Sequence, residues 1–142
     1  MNIADPAQII VIAAADPTRI ARTYEIPAAV PHGLDLDPAT GRLLCACDAG
    51  GLVSLDAATG RVLGSAPLSG APDVIWLDRA LRRLYVAVGD PGVADVIDVD
   101  VMKRVETVPT EAGAHTTALD VHRHRFYEFL PESHRAAVFV EE

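Results

Sequence analysis

The chain has 142 residues, 50% of them hydrophobic, and a net charge of −8, which is the size and composition of one folded domain. The acidic charge disfavours contact with nucleic-acid phosphates, so we expect no nucleic-acid partner. No apolar run reaches the length of about 20 residues that spans a membrane, and Ile9–Ala15 lacks the basic flank of a signal peptide, so we expect a cytoplasmic protein without a membrane partner.

The N-terminal segment, residues 1–28, contains two extended runs around a turn (IIVIAAADPTRIARTYEIP). It is similar to VIDVDVMKRVETVP further along the chain, which lies in the second half of a repeated unit. We therefore predict two strands here, forming half of a sheet.

The next segment, residues 29–70, predicts four short strands separated by turns (PHGLDLDPATGRLLCACDAGGLVSLDAATGRVLGSA). In the turn Asp37–Gly41 an aspartate comes first, a proline fixes φ and a glycine permits a positive φ. A similar turn follows at Asp56–Gly60. The predicted strands are Leu34–Leu36, Arg42–Cys47, Leu52–Leu55 and Arg61–Ala66.

Residues 71–113 and 114–142 repeat this pattern. The repeats are marked by aspartates 41 and 42 residues apart, each followed five residues later by an arginine: Asp37 and Arg42, Asp78 and Arg83, Asp120 and Arg125. A period of this length is typical of propeller blades. Because the strands are short and no helical period occurs, we predict an all-β fold in which residues 114–142 form a last blade of three strands.

Four stretches, PHGLDLDPATGRLL, RRLYVAV, VSLDAATGRVLGSAPL and HRFYEFLPESHRAAVFVEE, resemble the YVTN-repeat, YncE-like β-propeller family. The resemblance implies a partial β-propeller of about three four-stranded antiparallel blades in a single domain, residues 1–142. Since such propellers usually have about seven blades, it also implies the C-terminal half of a longer propeller. It implies a non-catalytic binding or scaffold protein whose ligand is unknown.

An open arc of blades leaves apolar faces and strand edges uncovered. We therefore expect a homodimer that closes a ring of about six or seven blades around a two-fold axis. In that ring Ala136–Val140 pairs with Ile9–Ala13 or Arg19–Glu25 of the second copy. The alternative is a fragment that needs a different chain to complete it.

Three polar residues occupy equivalent positions, five residues before each marker aspartate: His32, Asp73 and His115. In a propeller these positions lie at one rim of the central channel, so they are the candidate binding site for a small polar molecule. Two imidazoles and a carboxylate also suit a divalent metal, and the alternative function is therefore a metal-assisted, lactonase-like hydrolase. The third possibility is that these residues cap strand starts or face channel water. We expect no cofactor and assign no catalytic residue, because no P-loop or nucleophile motif occurs.

The remaining candidates have structural explanations. Cys45 and Cys47 lie on one strand face, which is unsuitable for a mutual disulfide, so we predict buried free thiols. The Asp35 and Asp37 carboxylates have the spacing for acid–base work, but Asp37 is better explained as the first residue of a turn. Trp76 is predicted in the core between blades.

Turn residues provide a further group of predictions. His122 and His124 are expected in a solvated turn, as is the basic cluster Arg79, Arg82 and Arg83. The arginines that begin the second strand of each repeat are predicted to bond to the marker aspartate of the same repeat or to turn carbonyls: Arg42, Arg83 and Arg125.

Overall fold

A computed structural model describes residues 1–140, which contain 14 β-strands and no helix, so none of these residues forms a helix able to cross a membrane. Residues 141 and 142, which the sequence assigns to the last blade, lie outside the described residues. The first sheet contains β1 (Asn2–Ile3), β2 (Gln8–Ala13) and β3 (Asp16–Glu25). The second contains β4 (Pro31–Asp37), β5 (Arg42–Cys47), β6 (Gly51–Asp56) and β7 (Val62–Pro67). The third contains β8 (Pro72–Asp78), β9 (Arg83–Val88), β10 (Val93–Asp98) and β11 (Lys103–Pro109), and the fourth contains β12 (Thr117–Asp120), β13 (Arg125–Leu130) and β14 (Arg135–Val140).

Within each sheet the strands are antiparallel and follow chain order, and the four sheets form part of a β-propeller, as the sequence predicts. The first sheet has one strand more than the predicted two, because Asn2 and Ile3 pair with Ile9 and Gln8. This strand is only two residues long, which is too short for a hydrophobic pattern to predict it.

The core lies in three layers between neighbouring sheets. On β5, Leu44 and Ala46 pack towards the third sheet, whereas Cys45 and Cys47 pack towards the first. Since both faces of this strand are covered, every residue from 44 to 47 can be apolar. The third layer, between the third and fourth sheets, is built around stacked rings of Tyr85 and Phe126.

The two cysteines are free thiols with no exposed surface, which confirms that part of the sequence analysis. They pack with Ile9 and Tyr24 of the first sheet. The neighbouring Cys47 side chain and burial both raise the pKa of the Cys45 thiol. These thiols therefore act as small apolar side chains between the first two sheets.

Each marker aspartate closes its own turn, as predicted for Asp37. The carboxylate of Asp37 accepts hydrogen bonds from the Ala39 amide and the Thr40 hydroxyl, at 3.2 and 2.6 Å. Asp78 accepts from the amides of Ala80 and Leu81, at 3.0 and 3.1 Å. The turns therefore have the same aspartate-led geometry in successive sheets.

Two of these aspartates, Asp37 and Asp78, also bind the next sheet, which corrects their predicted pairing within a repeat. Arg82 Nη1 lies 2.7 Å from Asp37 Oδ2, and His124 Nδ1 lies 2.6 Å from Asp78 Oδ2. Arg42 donates to the turn carbonyl of Val99 in the third sheet, which confirms for this arginine the predicted bond to a turn carbonyl. Asp37 and Asp78 therefore join neighbouring sheets, whereas Asp120 pairs with Arg123 of its own turn.

Three turn residues predicted to be solvated are bound. His124 is held by Asp78, and Arg82 bonds to both Asp37 and Asp100. Arg83 Nη1 lies 2.8 Å from Asp98 Oδ2. For Arg82 and His124 the prediction was wrong because the turn lies against the preceding sheet, where a buried carboxylate needs a partner. Arg83 instead pairs with Asp98 across two strands of its own sheet.

Candidate functional site

The candidate site is a cleft between the inner strands β4 and β8, with a volume of about 370 Å³. We call it the rim cleft and define it by five of its lining residues: His32, Gly33, Asp35, Asp73 and Trp76. A Cβ atom at Gly33 would lie 2.8 Å from the Asp73 carbonyl oxygen and 2.8 Å from Ile75 Cγ2. Glycine therefore lets the two strands approach closely at the floor of the cleft.

The structure brings together two of the three predicted site residues. His32 Nε2 lies 3.4 Å from Asp73 Oδ1, and His32 Nδ1 lies 3.0 Å from Asp48 Oδ1. The imidazole thus stands between two carboxylates that belong to successive sheets. Its side chain is half-exposed, so these contacts are open to solvent and to a small molecule.

His115, the third predicted residue, is not part of this cluster. Its Nδ1 faces the Gly113 carbonyl oxygen at 2.6 Å, within its own loop. Among residues 1–140 no ion pair joins it to Asp73 or His32. The equivalence of the three positions along the repeat therefore does not bring all three to one ligand.

The side chains around the rim cleft are not arranged as metal ligands. Across the part of the chain that the structure describes, no group of three His, Cys, Asp or Glu side chains is placed to hold a metal ion. Both ring nitrogens of His32 face carboxylate oxygens, so neither points at a shared position for a metal. This geometry gives no support to the metal-assisted hydrolase.

The residue that the sequence analysis missed is Asp48, the second carboxylate beside His32. Because Pro31 pairs with Cys47, the residues that follow them, His32 and Asp48, lie at the same end of the β4–β5 hairpin. Adding the hairpin register to the predicted strand bounds would have indicated this contact. The side-chain amide of Asn2 also donates to the carbonyl of His32, so β1 supports the cleft from the first sheet.

Asp35 is committed to structure rather than to acid–base chemistry. Its Oδ2 accepts a hydrogen bond from the Leu77 amide at 2.9 Å, which joins β4 to β8. The guanidinium of Arg79 lies 3.8 Å from its other oxygen. Since both oxygens face donors, Asp35 fixes the width of the cleft.

Trp76 lies at the open side of the cleft, which corrects its predicted place in the core. It is 39% exposed, and its indole N–H donates to the Thr117 hydroxyl at 3.1 Å. This bond joins the third sheet to the fourth near their inner strands. An indole with one exposed face can contribute apolar contact to a bound molecule.

No protein-family model matches this chain, and no curated protein matches its sequence. Among solved structures it is similar to hydrazine synthase of Kuenenia stuttgartiensis, a β-propeller-containing protein, with a TM-score of 0.75 and 13% sequence identity. The alignment covers 94% of this chain and 44% of that chain, so this chain spans less than half of that protein's length. At this identity the likeness establishes the propeller fold alone.

Proposed function

We propose that this chain is a non-catalytic binding or scaffold protein of the YVTN-repeat, YncE-like kind, and that it holds a small polar molecule in the rim cleft. The observation that carries the proposal is the His32 imidazole between Asp48 and Asp73, at an open cleft of about 370 Å³. An imidazole, carboxylates and an exposed indole suit a polar ligand with an apolar part.

A non-catalytic role is supported by how the candidate groups are engaged. Asp35 accepts from backbone, Asp37 and Asp78 hold turns and cross-sheet ion pairs, and Ser54 is fully buried. The Ser54 hydroxyl has no hydrogen-bond partner, so no base is placed to activate it.

The ligand can be tested by saturation-transfer NMR with a library of small polar compounds. We expect compounds that bind the wild type to lose their signal with the Asp73→Asn variant and to keep it with Asp16→Asn, a change at an exposed aspartate of the first sheet. Binding that is equal in all three proteins would place the ligand elsewhere and contradict the proposal.

We further propose that a second copy of the chain closes the ring. In the second and third sheets the third strand is buried between its neighbours, whereas its equivalent β14 is largely exposed. Phe129, Val138 and Val140 are 46%, 50% and 57% exposed. Among the described residues β14 also has one edge without a paired strand. An apolar strand with an open edge favours association with another chain.

The first sheet offers the complementary surface. Strand β2 pairs with β3 along its length and with β1 through Gln8 and Ile9, so only part of Ile9–Ala13 has an open edge. Among the described residues β3 has one edge without a paired strand, so it is the better candidate for pairing with β14. Ile12 and Ile20, which are paired across β2 and β3, are 40% and 54% exposed, so they provide an apolar surface for the partner copy.

Light scattering coupled to gel filtration tests the second copy. We expect a mass near twice the 15.1 kDa of one chain, and a monomer for the Val138→Lys variant. Val101→Lys is the matched control, because Val101 is 68% exposed in a turn of the third sheet. A wild-type monomer with a cooperative melting transition would contradict the dimer.

A further inference from the structure

A carboxylic acid is buried without a partner between the third and fourth sheets. Glu128 lies on β13 and is 1% exposed, and both of its carboxylate oxygens are buried with no hydrogen-bond partner. The equivalent positions of the second and third sheets are held by Cys45 and Val86, which are apolar core residues. Glu128 therefore occupies a core position of the repeat.

The register shows which surface Glu128 meets. Its neighbours across the sheet are Thr117 on β12 and Ala137 on β14. Phe126, two residues earlier on the same face of β13, stacks on Tyr85 of the third sheet with ring centroids 5.1 Å apart. The carboxylate thus points into the layer on which the fourth sheet packs.

Other charged or titratable groups lie around this interface, and Glu128 is hydrogen-bonded to none of them. Those on the facing surfaces are, from the third sheet, Asp78, Arg83, Tyr85, Asp98 and Glu106 and, from the fourth, His115 and His124. Asp78 bonds to His124 and Arg83 to Asp98, at 2.6 and 2.8 Å. Glu111, in the loop before β12, accepts from the amides of Glu132 and Ser133.

An ionised carboxylate in this position would lose its hydration without gaining a partner, which is unfavourable in free energy. Burial of the neutral, protonated acid is much less unfavourable. Burial raises the pKa of Glu128 to about 7, and the charge of His115 opposes that rise. The acid therefore changes charge near neutral pH rather than near its ordinary value of 4.5.

We propose that Glu128 makes the packing of the fourth sheet on the third pH-sensitive: the sheets hold together when Glu128 is protonated and separate more readily when it is ionised. The direction follows from proton linkage. Because the packed state binds the proton more tightly than the opened state, the stability of the packing is fullest below pH 4.5 and falls as the pH rises to about 7. Above that pH Glu128 is ionised in both states, so the stability of the packing stays at its lower value.

Hydrogen exchange of the β12–β14 amides, corrected for intrinsic exchange rates, tests the proposal. Between pH 5.5 and 8.5 we expect the opening equilibrium constant of these strands to rise roughly 30-fold in the wild type. The Glu128→Gln variant should show no such rise, since its side chain stays neutral. Glu25→Gln, at an exposed glutamate of β3 in the first sheet, should behave as the wild type does.

Two results would overturn the proposal: an equal rise in Glu128→Gln, or lower stability of that variant at both pH values, which would indicate a bonded carboxylate. A second measurement covers a variant that fails to fold. The NMR chemical shift of the Glu128 carboxyl carbon in the wild type should titrate with a midpoint well above pH 4.5. A midpoint at pH 4.5 would contradict the proposal.

Discussion

The guanidinium of Arg82 lies 2.7 Å from the carboxylate of Asp37, across the boundary between the second and third sheets. Asp37 is 1% exposed, so the arginine supplies the charge that its burial requires. His124 and Asp78 repeat this arrangement between the third and fourth sheets, at 2.6 Å. A buried aspartate therefore binds the next sheet at two successive boundaries, through an arginine at one and a histidine at the other.

The Asp37→Ala variant should be strongly destabilised. It removes the acceptor of the Thr40 and Ala39 bonds and leaves Arg82 without its buried partner. We expect a loss of about 3 kcal/mol in the free energy of unfolding, measured by urea denaturation at pH 7. Asp100→Ala is the control: it removes the exposed partner of Arg82 and should cost less than about 1 kcal/mol. Equal losses would contradict a special role for the buried carboxylate.

The same pair predicts a pH dependence. Burial raises the pKa of Asp37, but hydrogen bonds from Thr40 and Arg82 outweigh it, and the net pKa is lowered from 3.8. Because the folded pKa is depressed, the stability that Asp37 contributes is present above pH 3.8 and is lost as the pH falls below it. The difference in unfolding free energy between wild type and Asp37→Ala should therefore be constant from pH 5 to 7 and shrink in acid. A difference that grows in acid would contradict the ion pair.

Arg82 carries a second feature that can be separated from its charge. Its φ is +57°, and the equivalent residue of the second sheet, Gly41, has φ +66°. Residues with a Cβ atom disfavour this region. Arg82→Ala and Arg82→Gly both lose the ion pair, but only Arg82→Gly also removes the backbone cost. Arg82→Gly should therefore be more stable than Arg82→Ala by about 1 kcal/mol in urea denaturation. The reverse order would show that the backbone conformation is not costly here.

Gly33 should be sensitive to a single methyl group. A Cβ atom there would lie 2.8 Å from a backbone oxygen and from the Ile75 side chain, so β4 and β8 must move apart. We expect Gly33→Ala to cost about 1–3 kcal/mol in the free energy of unfolding. Gly51→Ala is the matched control, since nothing lies within 4 Å of its added atom, and it should change stability by less than about 1 kcal/mol.

The strands and turns of this chain could be predicted because their causes are local. The run at Arg42–Cys47 and the run at Arg83–Val88 coincide with β5 and β9, since flanking turn residues mark their ends. The repeat then identified the propeller, because each sheet needs a neighbour of the same kind to cover its faces. Blade equivalence also placed His32 and Asp73 on one rim, where they lie 3.4 Å apart.

The remaining features depend on how one sheet lies against the next. His124 looked like a solvated turn residue because Asp78, its partner, is 46 positions away. Trp76 looked like core because its exposed face is set by the approach of the fourth sheet, from which Thr117 accepts its indole N–H. Glu128 has the sequence context of a strand residue, and only the packed third sheet makes it a buried acid. Sequence spacing identified the repeat, but not the contacts between its copies.

The metal-assisted hydrolase makes a prediction that differs from that of a binding protein. A hydrolase of that kind needs a metal held at the rim, and a metal that binds the folded chain raises its stability. We expect 1 mM ZnCl₂ to shift the melting temperature of the wild type and of His32→Ala by the same amount, because both ring nitrogens of His32 already face carboxylates. Differential scanning fluorimetry measures both proteins side by side. Stabilisation by zinc that is lost in His32→Ala would instead favour the hydrolase, since only a metal bound to that imidazole could depend on it.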